Sequence, residues 1–98
     1  MIAPLTSDEL AATLLNLSDW KYDQQRKALY RELQLADFCE AFALMTRIAL
    51  HAEKADHHPE WSNVYNRIQI WLTTHDACGV SQRDVALARE IDMMLGHP

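Results

Sequence analysis

Three of the chain's five histidines, His57, His58 and His75, fall close together in sequence, with Glu53, Asp56 and Asp84 around them. Histidine is the side chain whose unperturbed pKa, about 6.5, lets it give and take protons near neutrality. Two adjacent imidazoles ahead of Pro59, and a third closing an apolar run, are equipment for general acid–base catalysis. Zinc or iron binding is the competing reading, because histidines and carboxylates are legitimate ligands. Consecutive histidines in extended backbone aim poorly at one ion, and no i, i+4 pair offers a preformed chelate. The expectation is no metal site. Cys78, three residues after His75, reads as a small packing residue rather than a nucleophile. His51 and His97 read as surface or capping residues.

Two carboxylates stand where they can orient an imidazole. Glu53 closes a long helix, where a negative charge opposes the local dipole and is mildly unfavourable. A site role accounts for it better than a local one. Asp84, fourth in Ser81-Gln82-Arg83-Asp84, is ambiguous. It serves as a helix cap, or it sits by the strand end carrying His75 and fixes that ring's tautomer and tilt. Trp20 is likewise open between core aromatic and ligand platform, the core being the commoner use of such a residue.

The elements that must hold these groups are legible in the residue pattern. Thr6 and Glu9 form a capping box for a first helix through about Asn16, with Leu10, Leu14 and Leu17 at helical spacing. Trp20-Lys21-Tyr22 begins a strand, and Asp23 to Lys27 is a turn. A second strand covers Ala28 to Leu35, with Leu29, Leu33 and Leu35 on one face and Arg31 the exception. Asp37 and Glu40 open a long helix over Phe38–Lys54. Its predicted inward stripe is Phe38, Ala41, Phe42, Met45, Ile48, Ala49 and Ala52. A second apolar face, through Cys39, Ala43, Leu44 and Leu50, has no intrachain partner left, and such a face on a small domain usually marks a subunit contact.

Pro59 forbids helix at His58. Trp61 to Val64 reads as a short strand, Tyr65-Asn66 as a tight turn, and Arg67 to His75 as the longest strand. There Ile68, Ile70, Leu72 and Thr74 alternate with outward residues that include Trp71, which needs a cover. Gly79 permits a turn, and Ser81 with Asp84 caps a last helix to about Leu95, with Val85, Ala88, Ile91 and Leu95 inward. The order α-β-β-α-β-β-α predicts an α+β fold, a four-stranded antiparallel sheet with three helices on one face.

Bulk properties bound the function. At 98 residues the chain is expected to form a single domain over 1–98. A net charge of −5 and a pI near 5.4 argue against unaided nucleic-acid binding, which needs a basic face. No apolar run approaches the roughly 18–20 residues of a membrane span, and no basic-then-apolar leader is apparent. Cys39 and Cys78 read as reduced thiols of a cytoplasmic protein.

Glu53, three residues, His57-His58-Pro59, five residues, Tyr65, nine residues, His75, eight residues, Asp84 is a specific spacing. It resembles the signature of the pterin-4a-carbinolamine dehydratases. The likeness runs from Trp20 through Leu29-x-Arg31-x-Leu33-x-Leu35-x-Asp37-Phe38 and Ala49-x-x-Ala52-Glu53 to Leu72-Thr73-Thr74-His75 and Asp84-x-x-Leu87-Ala88. Many relatives carry two glycines where this chain has Cys78-Gly79, and a smaller residue in place of Trp71.

The resemblance implies an enzyme that removes water from 4a-hydroxytetrahydropterin to give quinonoid dihydropterin, in the recycling of the pterin used for aromatic amino acid hydroxylation. By that pattern His57 and His58 are the acid–base pair and His75 is the third member, oriented by Glu53 and Asp84. Trp20, Pro59, Thr74 and Asp76 join the histidines in binding substrate. The family implies no metal, nucleotide or other cofactor, and a dimer or tetramer through the Phe38–Lys54 helix. It also carries a second reading from another class, a protein-interaction module acting as dimerisation cofactor or transcriptional coactivator. Intact His57, His58 and His75 favour the enzyme.

Overall fold

The computed structural model describes residues 2–96. Among them the elements run α1 (Ser7–Asn16), β1 (Lys21–Asp23), β2 (Ala28–Gln34), α2 (Phe38–Ala55), β3 (Glu60–Val64), β4 (Arg67–Leu72), a 3-10 turn (His75–Ala77) and α3 (Gln82–Met94). The four strands form one antiparallel sheet in the order β1-β2-β4-β3. This is the predicted α+β order, and its helix starts have the predicted causes. Thr6 and Glu9 complete a capping box, and Asp37 accepts the Glu40 N–H at 2.8 Å.

The core lies between the sheet and the helices. Leu29 and Leu33 of β2 join Ile68, Ile70 and Leu72 of β4, under Ile48 of α2 and Val85, Ala88 and Ile91 of α3. Register places Leu29 opposite Leu72 and Leu33 opposite Ile68, so both central strands turn their apolar faces the same way. Arg31, the exception in β2, stays on that face because Asp92 of α3 meets its guanidinium at 2.5 Å. Trp20 is only 3% exposed and donates its indole N–H to the same Asp92 at 2.8 Å.

On the other face Trp71 is covered within the chain, so the expected neighbouring subunit is not needed there. Its ring lies 5.2 Å from that of Tyr30, the Arg26 guanidinium sits 3.8 Å above it, and its N–H reaches Asp23 at 3.1 Å. The Asp23 carboxyl is held below the usual carboxylate range, chiefly by the backbone N–H of Arg26.

The expectations for the faces of α2 and for the end of β4 are corrected. In α2 the buried residues are Ala41, Leu44, Ile48 and Ala52, so Leu44 belongs to the core rather than to an outer face. Phe38, Phe42 and Ala49, predicted inward, are exposed instead, as is Leu50. With apolar residues around most of the helix, periodicity alone did not choose the side. Small Ala41 and Ala52 let the helix approach the sheet closely, while the two phenylalanines stack on each other outside at 5.8 Å.

Strand β4 ends at Leu72, short of His75. Thr74 and Gly79 instead form an isolated bridge around the 3-10 turn that begins at His75. The left-handed residue of that turn is Cys78, at φ 55°, not Gly79. Cys39 and Cys78 are free thiols. No helix among the described residues is long and apolar enough to cross a membrane.

The placement of Leu44 is open to test. Leu44→Ala should lower the unfolding free energy in urea by about 2–5 kcal/mol, as for a buried leucine. A change below about 0.5 kcal/mol would return this residue to the outer face.

Candidate active site

The site is built where α2 stops. Asp56 takes the left-handed conformation (φ 54°, ψ 41°) and ends the helix, while the His57 N–H returns to the Ala52 carbonyl at 3.1 Å. That reversal sets His57 and His58 just beyond the helix end, and Pro59 leads the chain out into β3. The 3-10 turn after β4 brings His75 to the same place. His57, His58, Pro59, Thr74, His75 and Asp76 line one cleft of about 400 Å³. Glu60 and Arg83, which the sequence reading did not single out, line it too.

Each imidazole meets a carboxylate through Nε2. His57 reaches Asp84 Oδ1 at 2.6 Å, His58 reaches Glu53 Oε1 at 2.7 Å, and His75 reaches Glu60 Oε2 at 3.2 Å. The settings differ sharply, with side-chain exposures of 11% for His57, 55% for His58 and 85% for His75. The His57 pair is therefore enclosed by protein, whereas the other two stand in water. Asp84 faces His57 rather than His75, the neighbour expected for it. Capping the helix and holding an imidazole are not alternatives for it, but the ring it holds is His57. One oxygen holds His57, while the other accepts the Ser81 N–H at 2.9 Å in the capping box of α3.

Behind the cleft lies a buried polar cluster. Thr74 Oγ1 donates to Asp84 Oδ2 at 2.8 Å and lies 2.6 Å from Ser81 Oγ. Thr74, Ser81 and Asp84 are the buried polar side chains of the described residues, and no buried side-chain nitrogen or oxygen there lacks a partner. The sequence marked Ser81 only as a cap. Its place in this cluster depends on the Thr74–Gly79 bridge, which no local pattern announced.

Two other residues lie apart. Trp20 is in the core with Asp92, outside the cleft lining. Tyr65 occupies the β3–β4 turn at φ 53°, exposed. His51 sits half-exposed with its Nδ1 3.9 Å from Glu90, and His97 lies outside the described residues. Among the described residues no three His, Cys, Asp or Glu side chains converge as a metal-binding group.

Chemically, imidazoles held by carboxylates can transfer protons. A carboxylate on one ring nitrogen decides the tautomer and aim of the imidazole, and so which nitrogen is left for a ligand. An α+β frame carrying such a cleft belongs to a known class. The profile of the family described as Pterin 4 alpha carbinolamine dehydratase matches residues 3–94, and the chain belongs to that family.

Among its relatives is a protein of Rhizorhabdus wittichii, provisionally named pterin-4-alpha-carbinolamine dehydratase. It is 58% identical over 93 residues, covering 95% of this chain and 96% of the other. A protein of Burkholderia ambifaria with the same provisional name is 52% identical over 97 residues, 99% of this chain and 95% of that one. The crystal structure of a transcriptional coactivator/pterin dehydratase from Brucella melitensis matches with a TM-score of 0.90 at 41% identity. The match covers 93% of this chain and 97% of that one.

The contrast between the enclosed and the open pair gives a prediction. Asp84→Ala strands the Thr74 hydroxyl, the Ser81 N–H and the His57 ring, and an unsatisfied buried donor costs about 1–3 kcal/mol. A loss of about 2–4 kcal/mol is expected in urea unfolding, against about 0–1 kcal/mol for Glu53→Ala, whose contact with His58 is exposed. Equal effects of the two substitutions would contradict this geometry.

Proposed function

We propose that this protein dehydrates 4a-hydroxytetrahydropterin to quinonoid dihydropterin by general acid–base catalysis from His57 and His58, with His75 as third member. The observation that carries the reading is the convergence of three imidazoles, each held by its own carboxylate, on one cleft. Family membership supplies the substrate class.

Hydroxide leaves C4a poorly, so an imidazolium donates a proton to that oxygen as the C4a–O bond breaks, and water departs. The N5–H bond gives its proton to a neutral imidazole, and its electron pair becomes the C4a=N5 double bond. One histidine has then lost a proton and the other gained one, and exchange with solvent resets both. Glu53 and Asp84 orient the pair. Pro59, Asp76 and the exposed His75 line the same cleft and would flank the flat ring there. The balance closes with no metal, nucleotide or covalent intermediate. In this reading the protein is cytoplasmic and recycles the pterin used in aromatic amino acid hydroxylation.

Assembly is part of the proposal. Phe38, Phe42 and Leu50 leave α2 with an exposed apolar face, and burying such a side chain contributes roughly 1.5–3 kcal/mol. A symmetric contact through this face would hold a dimer, or a tetramer built as a dimer of dimers. The same surface suits a protein partner. The Brucella relative is named both coactivator and dehydratase, and the coactivator reading stands second here.

His57→Ala and His58→Ala should each slow dehydration of enzymatically generated 4a-hydroxytetrahydropterin by about 10²–10⁴-fold in stopped flow. That is roughly 2.7–5.4 kcal/mol of barrier. Near-native rates in both folded variants would sink the assignment. Phe42→Glu should convert the oligomer to a smaller species by light scattering. A monomer for the unmutated protein at micromolar concentration would refute the assembly.

A further inference from the structure

The direction of the buried hydrogen bonds behind the cleft determines which nitrogen of His57 meets a ligand. Asp84, as a carboxylate, can only accept. Its Oδ2 takes the Thr74 hydroxyl at 2.8 Å and the Ser81 backbone N–H at 2.9 Å. Thr74 has a single hydroxyl hydrogen, and that contact uses it. In the 2.6 Å contact between the two hydroxyls, the donor is therefore Ser81. Ser81 Oγ in turn accepts the Arg83 N–H at 3.2 Å. The chain runs one way: Arg83 N–H to Ser81, Ser81 to Thr74, Thr74 to Asp84.

Oδ1 is left with one partner, His57 Nε2, at 2.6 Å. A neutral imidazole has one N–H, and an accepting Oδ1 draws it to Nε2, so Nδ1 keeps the lone pair. Among the described residues Nδ1 has no hydrogen-bond partner. Since no buried side-chain nitrogen or oxygen of the described residues is unpartnered, Nδ1 is open to solvent, in a residue that lines the cleft.

We infer that Thr74 and Ser81 are positioning residues: through Asp84 they lock His57 as the Nε2–H tautomer, so that it exchanges protons with substrate through Nδ1 alone. Thr74 was expected among the substrate-binding residues. Its hydroxyl is committed inward, and it acts on the reaction through Asp84 and His57. The lock stands on the hydrogen bonds alone, whereas its effect on rate rests on the dehydratase reading.

Two-bond proton–nitrogen correlation spectra of ¹⁵N-labelled protein, taken where the ring is neutral, read the tautomer directly. The unmutated protein should show His57 with a protonated Nε2 and an unprotonated Nδ1. Thr74→Val, which keeps the shape and removes the hydroxyl that fixes the Asp84 carboxylate, lets that carboxylate turn away from the ring and should give mixed tautomers. It should also lower kcat about tenfold, the factor that one hydrogen bond commands, with KM unchanged. Thr74→Ser should restore both spectrum and rate.

An unprotonated Nε2 in the unmutated protein overturns the inference with no variant needed, as does a Thr74→Val spectrum identical to it. A lock that is present and lost as described, with no change in kcat, upholds the tautomer assignment and rejects its catalytic use. That outcome separates failure of the lock from failure of the dehydratase reading.

Discussion

A carboxylate with no access to water organises this protein. Asp84 is completely buried, and removing such an ion from solvent costs several kcal/mol unless donors replace the water it lost. Three donors do so: the Ser81 N–H, the Thr74 hydroxyl and His57 Nε2. They come from the start of α3, the segment after β4 and the reversal that ends α2. Asp84 lies in the first turn of α3, where the helix dipole favours a negative charge. None of the three segments can move away without exposing an unpaired group. The requirement that stabilises the carboxylate thus also ties the cleft-forming segments together.

The three histidines experience this constraint unequally. His57 is fixed from behind by the buried cluster. His58 is tied to Glu53 at the end of α2, and His75 to Glu60 at the start of β3, both in contact with solvent. A reaction that gives up one proton and takes another benefits from that difference. In the proposed dehydration, a ring held in a single tautomer would provide aim, while rings in water would exchange protons readily. The core beneath, from Leu29 and Leu33 to Ile68, Ile70 and Leu72, provides the rigid floor.

Much of this was legible in the residue pattern wherever the determining interaction is local. The boxes at Thr6–Glu9 and Ser81–Asp84, the Asp37 cap and the alternation through Ile68, Ile70 and Leu72 all involve neighbours along the chain. The family spacing also groups His57, His58 and His75, which line the cleft together, with Glu53 and Asp84, which meet two of those rings from outside the lining. What stayed hidden depends on distant packing. Leu44 faces the core because α2 settles on its small residues Ala41 and Ala52. Arg31 is tolerated on the inner face because Asp92, far along the chain, meets it. Asp84 pairs with His57, 27 positions away, and strand alternation said nothing of the bridge that ends β4 and creates that meeting.

In the dehydratase reading, Asp84 serves the reaction through His57 and not independently of it. Stopped-flow dehydration rates for the unmutated protein, Asp84→Asn, His57→Ala and the double variant form a double-mutant cycle that tests this. If Asp84 acts through His57, Asp84→Asn slows the reaction when His57 is present and has no further effect once His57 is alanine. A loss by the same factor in both backgrounds would show that the two residues act separately, and would contradict it.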